Sequence, residues 1–302
     1  MNSEEPKISV VLSVLNESAK IGKTLDSVKW ADEIIVVDNG STDATVGIVR
    51  KYTGKILSRQ NNPMLNINKN YGITKATGDW ILYLDGDEEI PPELKEEIRF
   101  KIKQSGNTDG YWIPRKNIIF GKWIMHGLWW PDRQLRLFRR GKGKYPCRHV
   151  HEYIEVPGKT ETLDNAFIHH NYESVSQYLN KMDRIYTENE VANLQATGYR
   201  ISWYDAVRFP VSDFLKVYFA QKAYLDGLHG LALSFLQAFY SFIVFAKLWE
   251  NDGFSEKEVQ MPAVSNEFRK AGREIRYWLL TAGIHEARNF TDKLLLKIKR
   301  RM

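Results

Sequence analysis

The stretch that decides the fold is Trp80-Ile81-Leu82-Tyr83-Leu84-Asp85-Gly86-Asp87-Glu88-Glu89-Ile90. Its first five residues are apolar, with β-branched and aromatic side chains, which predicts a buried β-strand. The strand stops at Asp85 and Asp87, and Gly86 between them leaves room for a ligand to approach. Two carboxylates at the carboxyl end of such a strand suit a hard divalent cation that also binds phosphate oxygens. The alternative is that these acidic residues only favour the N-terminus of the following helix.

Three further strands are expected upstream of this stretch, each followed by a helix. The apolar segments are 8–15, 34–37 and 55–58, and the helices between them should end near Val28, Tyr52 and Lys75. This alternation predicts an α/β fold with a largely parallel sheet and right-handed crossovers. Polar residues stand at three strand ends, namely Asn16 with Glu17, Asp38, and Asp85 with Asp87. In a doubly wound sheet these ends share one edge and can line a single crevice.

Two nucleotide-binding signatures are missing from the sequence. No Gly-x-Gly-x-x-Gly follows the first predicted strand, and no Gly-x-x-x-x-Gly-Lys-Ser/Thr occurs. Their absence argues against a dinucleotide dehydrogenase and against a P-loop enzyme. Phosphate charge would instead be met by a metal ion at the acidic strand end.

The composition is ordinary for a folded protein, with a surface that leans basic. The 302 residues are 43% hydrophobic and 26% charged, with a formal net charge of +6 and a pI near 9.1. This charge fits an anionic substrate, an anionic membrane face or nucleic acid, and alone decides nothing. The single cysteine, Cys147, excludes an intrachain disulfide, and the polar, acidic amino terminus predicts no secretory signal.

Four segments follow one another in a specific order and spacing. They are Ser-Val-Val-Leu-Ser-Val-Leu-Asn-Glu at 9–17, Ile-Ile-Val-Val-Asp-Asn-Gly-Ser-Thr-Asp at 34–43, Asn-Lys-Asn-Tyr-Gly-Ile-Thr-Lys-Ala-Thr-Gly-Asp at 68–79 and Leu-Asp-Gly-Asp at 84–87. Together they resemble family 2 glycosyltransferases with a GT-A fold. Later segments are similar to the branch that adds sugars to lipopolysaccharide core or related lipid-linked acceptors. The resemblance implies a GT-A (Rossmann-like), mostly parallel central sheet flanked by helices, with a C-terminal α-helical extension.

The resemblance also implies how the strand ends would bind a nucleotide. Asn16 and Glu17 would border the nucleoside, and Asp38 would accept a hydrogen bond from the base. Turn capping is the alternative for Asn16 and Asp38, because Asn and Asp often cap turns. The family often has an aromatic residue at the position of Leu15, so a stacking surface for the base is missing here.

Three more residues would line the same crevice. The resemblance places Lys69 where a basic residue often faces the nucleotide, and a solvated helix lysine is the alternative. Asp85 would lie near the ribose or sugar. Asp87 would be the ligand of a divalent cation, Mn²⁺ or Mg²⁺.

The general base has two candidates. Asp132 opens a segment similar to the family segment in which an acidic residue precedes a Leu-x-Arg pattern and is usually the base. An ion pair of Asp132 with Arg133 or Arg136 is the alternative. Glu152 competes for the role of base because His151-Glu152 resembles a His-Glu pair of this branch. His151 could bind the metal or the diphosphate.

The remaining histidines and arginines of this region carry weaker signals. His149 and the pair His169-His170 are expected to be structural, since no fixed spacing relates them to other ligands. Four arginines, Arg136, Arg139, Arg140 and Arg148, provide positive charge that could meet a diphosphate. A partly solvated basic face explains them equally well.

We expect residues 1–173 to form the nucleotide-sugar-binding and catalytic domain and residues 174–302 a helical extension. Residues 228–249 approach membrane-spanning length, but their polar residues also allow a helix lying in the bilayer interface or packed on its neighbours. The tail at 293–301 mixes leucines with cations, which suits an anionic membrane surface; a solvated helix end is the alternative. The expected location is cytoplasmic, peripheral at the inner face of the cytoplasmic membrane.

The leading hypothesis is an inverting, metal-dependent glycosyltransferase. It would move a hexose-type sugar from a nucleoside diphosphate sugar, with a UDP-sugar favoured, to a lipid-linked saccharide, and would not bind nucleic acid. A sugar-phosphate nucleotidyltransferase shares the general fold but needs a glycine-rich basic loop after the first strand, which this sequence lacks. A non-catalytic membrane-surface binding protein is the third hypothesis.

Overall fold

The computed structural model describes residues 5–148 and 152–301. The chain divides into two compact units. The first unit contains the chain up to residue 119 together with residues 129–171, and the second contains residues 120–128 and the chain from residue 172 onward. The prediction that residues 1–173 and 174–302 divide catalysis from acceptor and membrane binding stays a prediction.

The described strands and helices alternate in the first part of the chain and give way to helices in the last. The strands are β1 (Ile8–Val14), β2 (Glu33–Asp38), β3 (Ile56–Ser58), β4 (Trp80–Asp85), β5 (Glu88–Glu89), β6 (Thr108–Ile119), β7 (Lys122–Trp123), β8 (Arg133–Arg139), β9 (Lys159–Thr162) and β10 (Phe167–Tyr172). The α-helices are α1 (Ile21–Ser27), α2 (Thr45–Val49), α3 (Leu65–Thr74), α4 (Pro92–Lys103), α5 (Val175–Lys181), α6 (Thr187–Ala196), α7 (Asp205–Leu215), α8 (Leu228–Asn251), α9 (Met261–Glu286) and α10 (Phe290–Arg301). The predicted α/β class is confirmed.

A central sheet organises the first unit, with the strand order β3-β2-β1-β4-β8-β6-β10-β5 and β9 beside β6. Strands β1 to β4 are parallel, as predicted. Their register sets Val14 beside Asp38 and Ser13 beside Asp85. The carboxyl ends of β1, β2 and β4 therefore lie side by side at one edge of the sheet.

The parallel strands form because their side chains are apolar on both faces. Every residue of β4 before Asp85 is buried, and so is nearly all of β1. Helix α3 crosses this sheet closely at Gly72, where an added Cβ would lie 2.7 Å from Val37 and 2.8 Å from Val11. The missing side chain lets α3 pack tightly on the sheet. This contact positions the polar residues of α3, including Lys69, relative to the strand ends.

The sheet beyond β4 departs from the parallel pattern. Strand β8 is antiparallel to both β4 and β6, and β10 is antiparallel to β5. The last pairing sets His169 opposite Glu88. These pairings bring the far part of the unit back to the acidic stretch after β4.

Helices make up most of the second unit. Helices α5 and α6 are joined by a π-helical turn, Met182–Tyr186, and a second π-helical turn, Lys216–Ala220, extends α7. Helix α8 packs along α7, and α10 folds back on α9. The predicted helical extension is present, and the apolar segment 228–249 lies within helix α8; the two π-helical turns are not indicated by the sequence.

Candidate active site

The loops after β1 and β2 are tied to each other by hydrogen bonds. Asn16 adopts a positive φ of 56°, its backbone N–H donates to Ser41 Oγ, and its side-chain oxygen accepts from the Thr42 N–H at 2.8 Å. Asp38 is buried and accepts from the Ser41 N–H at 3.1 Å. The turn-capping contacts that the sequence allowed for Asn16 and Asp38 are therefore present, and their role toward a nucleoside stays a prediction.

Glu17 lies against the acidic stretch. Its backbone N–H donates to Thr45 Oγ1 at 2.8 Å, and a Cβ added to Gly86 would lie 3.0 Å from Glu17 Cγ. Glycine at position 86 thus lets the loop after β1 touch the loop after β4. The structure brings Glu17 next to the Asp85-Gly86-Asp87 turn.

A buried charge network surrounds Asp85. Its Oδ1 accepts from Lys69 Nζ at 3.1 Å, and its Oδ2 accepts from Arg136 NH2 at 2.7 Å. The same Arg136 nitrogen donates to Glu88 Oε1 at 2.8 Å. Tyr83 and Tyr145 close the network, since their hydroxyls contact Asp85 and Arg136. The network keeps Lys69 at the strand end, where the resemblance expects a basic residue.

The pKa values of the two carboxylates of this network, Asp85 and Glu88, are shifted in opposite directions. Burial alone would raise the pKa of Asp85, but the charges of Lys69 and Arg136 outweigh it and hold that pKa well below its usual range. Burial raises the pKa of Glu88, and the nearby Arg136 only partly offsets this. The pKa of Lys69 is raised, because the Asp85 charge outweighs the burial that would lower it. Carboxylates with diverging environments are typical of functional sites.

Asp87 faces a histidine. Its Oδ2 lies 3.6 Å from His169 Nε2 and 4.0 Å from Lys20 Nζ. His169 Nδ1 is 2.7 Å from Asn117 Oδ1. The Asn117 Nδ2 donates to the Trp129 carbonyl and to a carboxylate, so its Oδ1 must be the atom that accepts from His169. His169 Nε2 is then the ring nitrogen that faces Asp87.

This pair fits a divalent cation. A carboxylate and an imidazole whose second nitrogen is fixed by an amide form a common ligand set for Mn²⁺ and related ions. No group of three or more His, Cys, Asp or Glu residues with ligand geometry occurs within 5–148 and 152–301. A cation here would complete its shell with phosphate oxygens and water, as Mg²⁺ does at substrate phosphates. His169 was expected to be structural, and the structure makes it a second candidate ligand beside Asp87.

Asp132 is held by three side chains. Its Oδ2 accepts from Arg115 Nε at 2.7 Å and from Asn117 Nδ2 at 3.2 Å, while its Oδ1 accepts from Gln134 Nε2 at 2.7 Å. The second Arg115 nitrogen lies 2.5 Å from the same Oδ2. The ion pair anticipated for Asp132 is thus present, with Arg115 as its partner in place of Arg133 or Arg136.

Glu152 accepts hydrogen bonds from neutral donors. The N–H groups of Cys147 and Arg148 donate to it at 2.7 and 2.6 Å, and Asn66 Nδ2 at 3.0 Å. His151, the other predicted metal ligand, lies outside the described residues, as does His149.

Two cavities of the first unit meet at Glu152. The smaller holds about 230 Å³ and is lined by Lys69, Asp85, Arg136 and Glu152. The larger holds about 1520 Å³ and is lined in part by Glu152 and by Trp112 and Tyr153, whose ring centres are 5.8 Å apart. Four exposed cations also line it, namely Arg140, Lys142, Lys144 and Arg148.

Three residues of this site were not assigned a role from the sequence: Glu88, Arg115 and Asn117. For Arg136 the sequence suggests only one of several cations near a diphosphate or a partner of Asp132. Its neighbours Leu135 and Leu137 lie in an apolar run, and a buried arginine needs a carboxylate partner. That pattern was the signal for the Arg136 network. No local signal points to His169, because its contact with Asp87 depends on the pairing of β10 with β5.

The sequence and the structure were compared with known proteins. Residues 9–154 match the family model described as Glycosyl transferase family 2. A lipopolysaccharide core biosynthesis glycosyltransferase, LpsC of Rhizobium meliloti, is 28% identical over 253 residues, which cover 80% of this chain and 92% of LpsC. An uncharacterized glycosyltransferase of Rickettsia felis is also 28% identical, over 81% of this chain and 90% of its own.

Among solved structures, the mannosyltransferase PcManGT of Pyrobaculum calidifontis, in complex with GDP-Man and Mn²⁺, aligns with 99% of this chain and 88% of its own. The identity is 14% and the TM-score is 0.46. The family match covers the parallel sheet, the acidic stretch and both candidate bases. The chain therefore carries a glycosyltransferase family 2 domain at residues 9–154 and is a glycosyltransferase.

Proposed function

We propose that the protein transfers a sugar from a nucleoside diphosphate sugar to a hydroxyl of a lipid-linked saccharide, in lipopolysaccharide core or a similar envelope glycan. The acceptor class rests on the name of the LpsC relative, which matches most of both chains. The reaction is proposed to be inverting and to need Mn²⁺ or Mg²⁺. The observation that carries the proposal is the pair formed by Asp87 Oδ2 and His169 Nε2 at the end of β4.

The donor would lie along the carboxyl ends of β1, β2 and β4. Asn16, Glu17 and Asp38 would border the nucleoside, and a UDP-sugar is the favoured donor. Asp87 and His169 would hold a divalent cation, which when bound neutralises charge on the departing diphosphate. Lys69 adds a positive charge close by, and Asp85 keeps Lys69 in place through their 3.1 Å ion pair. Asp85 itself would face the ribose or the sugar.

We assign the general base to Glu152 ahead of Asp132. A base must present an oxygen to the acceptor hydroxyl, and a carboxylate held in an ion pair with an arginine is less free to turn toward that hydroxyl. Both carboxylates accept hydrogen bonds at both oxygens, but the donors to Asp132 include the charged Arg115. Glu152 has neutral donors among its partners and lines both the cavity that contains Asp85 and the larger one. It therefore lies where donor and acceptor would meet.

The larger cavity would hold the acceptor saccharide. Its aromatic pair, Trp112 and Tyr153, offers flat apolar surface for a sugar ring, and Tyr153 is exposed. Its exposed cations suit an acceptor with phosphate or carboxylate groups. A saccharide there would reach Glu152 from the larger cavity, whereas Lys69 lines the smaller one.

The chemical step follows from this placement. The acceptor oxygen attacks the anomeric carbon on the face opposite the diphosphate, and the bond from that carbon to the phosphate oxygen breaks. Glu152 takes the proton of the attacking hydroxyl as the new glycosidic bond forms. Lys69 stabilises the charge that develops on the diphosphate, which is the electrostatic part of catalysis. The anomeric configuration is inverted by the single displacement.

A screen of nucleotide sugars by thermal unfolding, with and without Mn²⁺, tests the proposal. A ligand at 100 times its Kd stabilises a protein by about 2.7 kcal/mol. We expect a UDP-sugar to raise the Tm of wild type only when Mn²⁺ is present, and Asp87→Asn to lose this response. Asp164→Asn, at an exposed position, is the control. An equal rise in Tm with and without Mn²⁺ would contradict the metal role.

Product analysis separates transfer from simple binding. Wild type should slowly release a nucleoside diphosphate from the stabilising donor, and Asp87→Asn should not. A wild-type protein that binds the donor and never hydrolyses or transfers it would favour the non-catalytic hypothesis.

A further inference from the structure

Helix α8 carries its largest apolar side chains on the outside. Phe235, Phe239 and Phe242 are 60%, 45% and 40% exposed, and Leu228 and Trp249 are exposed in line with them. The spacings of seven, four, three and seven residues place these five side chains on one stripe of the helix. We call it the α8 stripe. It contains no charged residue over a length of about 30 Å, at 1.5 Å per residue.

The opposite face of α8 is buried, and it mixes Leu233, Val244 and Leu248 with small and polar residues. Ser234 and Ser241 are buried, and their hydroxyls donate to the Gly230 carbonyl and to Asp213 of α7. Gln237 Nε2 donates to the same Asp213 at 3.2 Å. The outer face of a helix at the surface of a water-soluble domain is normally polar, whereas the outer face of α8 is apolar. The apolar side of α8 is therefore arranged for a surrounding other than water.

The neighbouring helices of the same unit add positive charge. Residues 261–302 contain ten lysines and arginines against four acidic residues, an excess equal to the net charge of the whole chain. Helix α10 exposes Phe290, Leu294 and Ile298 at spacings of four, and Lys293 and Lys297 flank them. Apolar side chains flanked by cations are the pattern of helices that lie in the interface of an anionic bilayer.

The described contacts favour lipid contact along the helix over full insertion. Helix α8 is long and apolar enough to cross a membrane by length and composition. However, Lys247 near its end forms ion pairs with Asp183 at 2.9 Å and Glu188 at 2.6 Å, and the serine face packs on α7. One face of α8 is thus committed to protein, and the other is free for the acyl chains of one leaflet.

We propose that the α8 stripe and the exposed face of α10 form a docking surface for an anionic phospholipid bilayer. The charge of α9 and α10 decides for lipid over a second copy of this chain, because a second copy would bring the same positive excess. The inference goes beyond the transfer reaction and rests on the surface of the helical unit alone. It accounts for how a soluble catalytic domain would meet a lipid-linked acceptor.

The test is co-sedimentation of the full chain with vesicles of phosphatidylcholine, with or without phosphatidylglycerol. Wild type should bind the vesicles that contain phosphatidylglycerol. Combined Phe235→Ser, Phe239→Ser and Phe242→Ser should weaken that binding by about a hundredfold, because each side chain loses part of its burial. Phe100→Ser, at a 56% exposed position on α4 in the other unit, is the matched control and should bind as wild type. Combined Lys293→Ala, Lys297→Ala and Lys299→Ala should weaken the phosphatidylglycerol-dependent binding by roughly tenfold or more.

Thermal unfolding and donor stabilisation confirm that each variant is folded. If the triple phenylalanine variant failed to fold, Phe239→Ser alone should still weaken vesicle binding several-fold. The proposal would be overturned if wild type did not bind the vesicles, or if the triple variant bound them as wild type does. A wild-type dimer in sedimentation velocity that the triple variant converts to a monomer, with no vesicle binding, would assign the surface to a second copy. None of these outcomes depends on the transfer reaction, so failure here is distinct from failure of the proposed function.

Discussion

The parallel strands of the first unit carry carboxylates at both ends, and the two ends differ in how these groups are paired. Glu33, the first residue of β2, accepts hydrogen bonds from Ser9, from Lys55 and twice from Thr77. Burial opposes its ionisation, but these donors outweigh burial and lower the pKa of Glu33 to about 2. At the other end, Asp85 and Glu88 share one guanidinium, and burial raises the pKa of Glu88.

This difference indicates that the amino ends of the strands are structural and that the carboxyl ends are functional. Glu33 links β1, β2 and the turn before β4, and both of its carboxylate oxygens accept hydrogen bonds. At the carboxyl end, the buried Glu88 and the half-buried Asp85 share Arg136, while Asp87 lies 3.6 Å from His169 Nε2. Charged groups gathered at a strand end in this way are those that a cation or an anionic substrate can bind.

The largest expected effect comes from removing the shared guanidinium. Arg136→Met should destabilise the protein by about 4 kcal/mol at pH 7, because it leaves the buried Glu88 carboxylate without its main partner and removes one of the two cations beside Asp85. The loss should shrink as the pH falls and Glu88 becomes protonated, because burial raises the pKa of Glu88. Urea unfolding measures it, and Arg133→Met, at an exposed position of the same strand, is the control. A loss below about 1 kcal/mol would mean that the carboxyl-end network is as tolerant as a surface ion pair.

The next effect concerns the rate of transfer. Glu152→Gln should slow transfer by on the order of 10²-fold or more, with donor affinity nearly unchanged, because the proton acceptor is lost. Asp132→Asn should reduce the rate less, since its carboxylate serves Arg115 and Gln134. Single-turnover kinetics with saturating donor make the comparison. The reverse ranking would move the role of base to Asp132.

A smaller effect is expected at the amino end. Glu33→Gln should cost roughly 2 kcal/mol at pH 7, since lowering a pKa from 4.5 to about 2 is worth about 3 kcal/mol before allowing for the exposed Lys55. A depressed carboxyl pKa stabilises the fold above the unfolded pKa, so the difference should disappear as the pH falls from about 4.5 to about 2. Unfolding across this range, with exposed Glu96→Gln as control, measures it. An unchanged transfer rate per folded molecule would confirm that this end is structural only.

The parts of the carboxyl-end site that depend on local sequence patterns could be predicted, and the parts that depend on pairing between distant strands could not. Strands β1 to β4 and the polar residues that follow them appear as predicted, because a buried parallel strand is a continuous apolar run. Arg136 and His169 reach the site only through antiparallel pairings between segments far apart in the chain. The periodicity of one strand does not specify its partner, so their contacts with Asp85 and Asp87 could not be derived.

Helix α8 shows the same limit in the second unit. Its apolar length was visible in the sequence, but which face would be buried was not. In the sequence, Ser234, Gln237 and Ser241 are among the polar residues of the apolar segment 228–249. In the structure they form the face toward α7, with Asp213 as the common acceptor for two of them. The buried partner on α7 therefore decides which side of α8 remains exposed.

The central claim is that Asp87 and His169 together hold a divalent cation against a diphosphate. Calorimetric titration of Mn²⁺ into the protein with UDP present tests it directly. We predict one site in wild type, affinity lowered by about tenfold or more in both Asp87→Asn and His169→Gln, and no change in His170→Gln, whose imidazole pairs with Glu89. Equal Mn²⁺ affinity in wild type and Asp87→Asn, with both proteins folded, would contradict the claim.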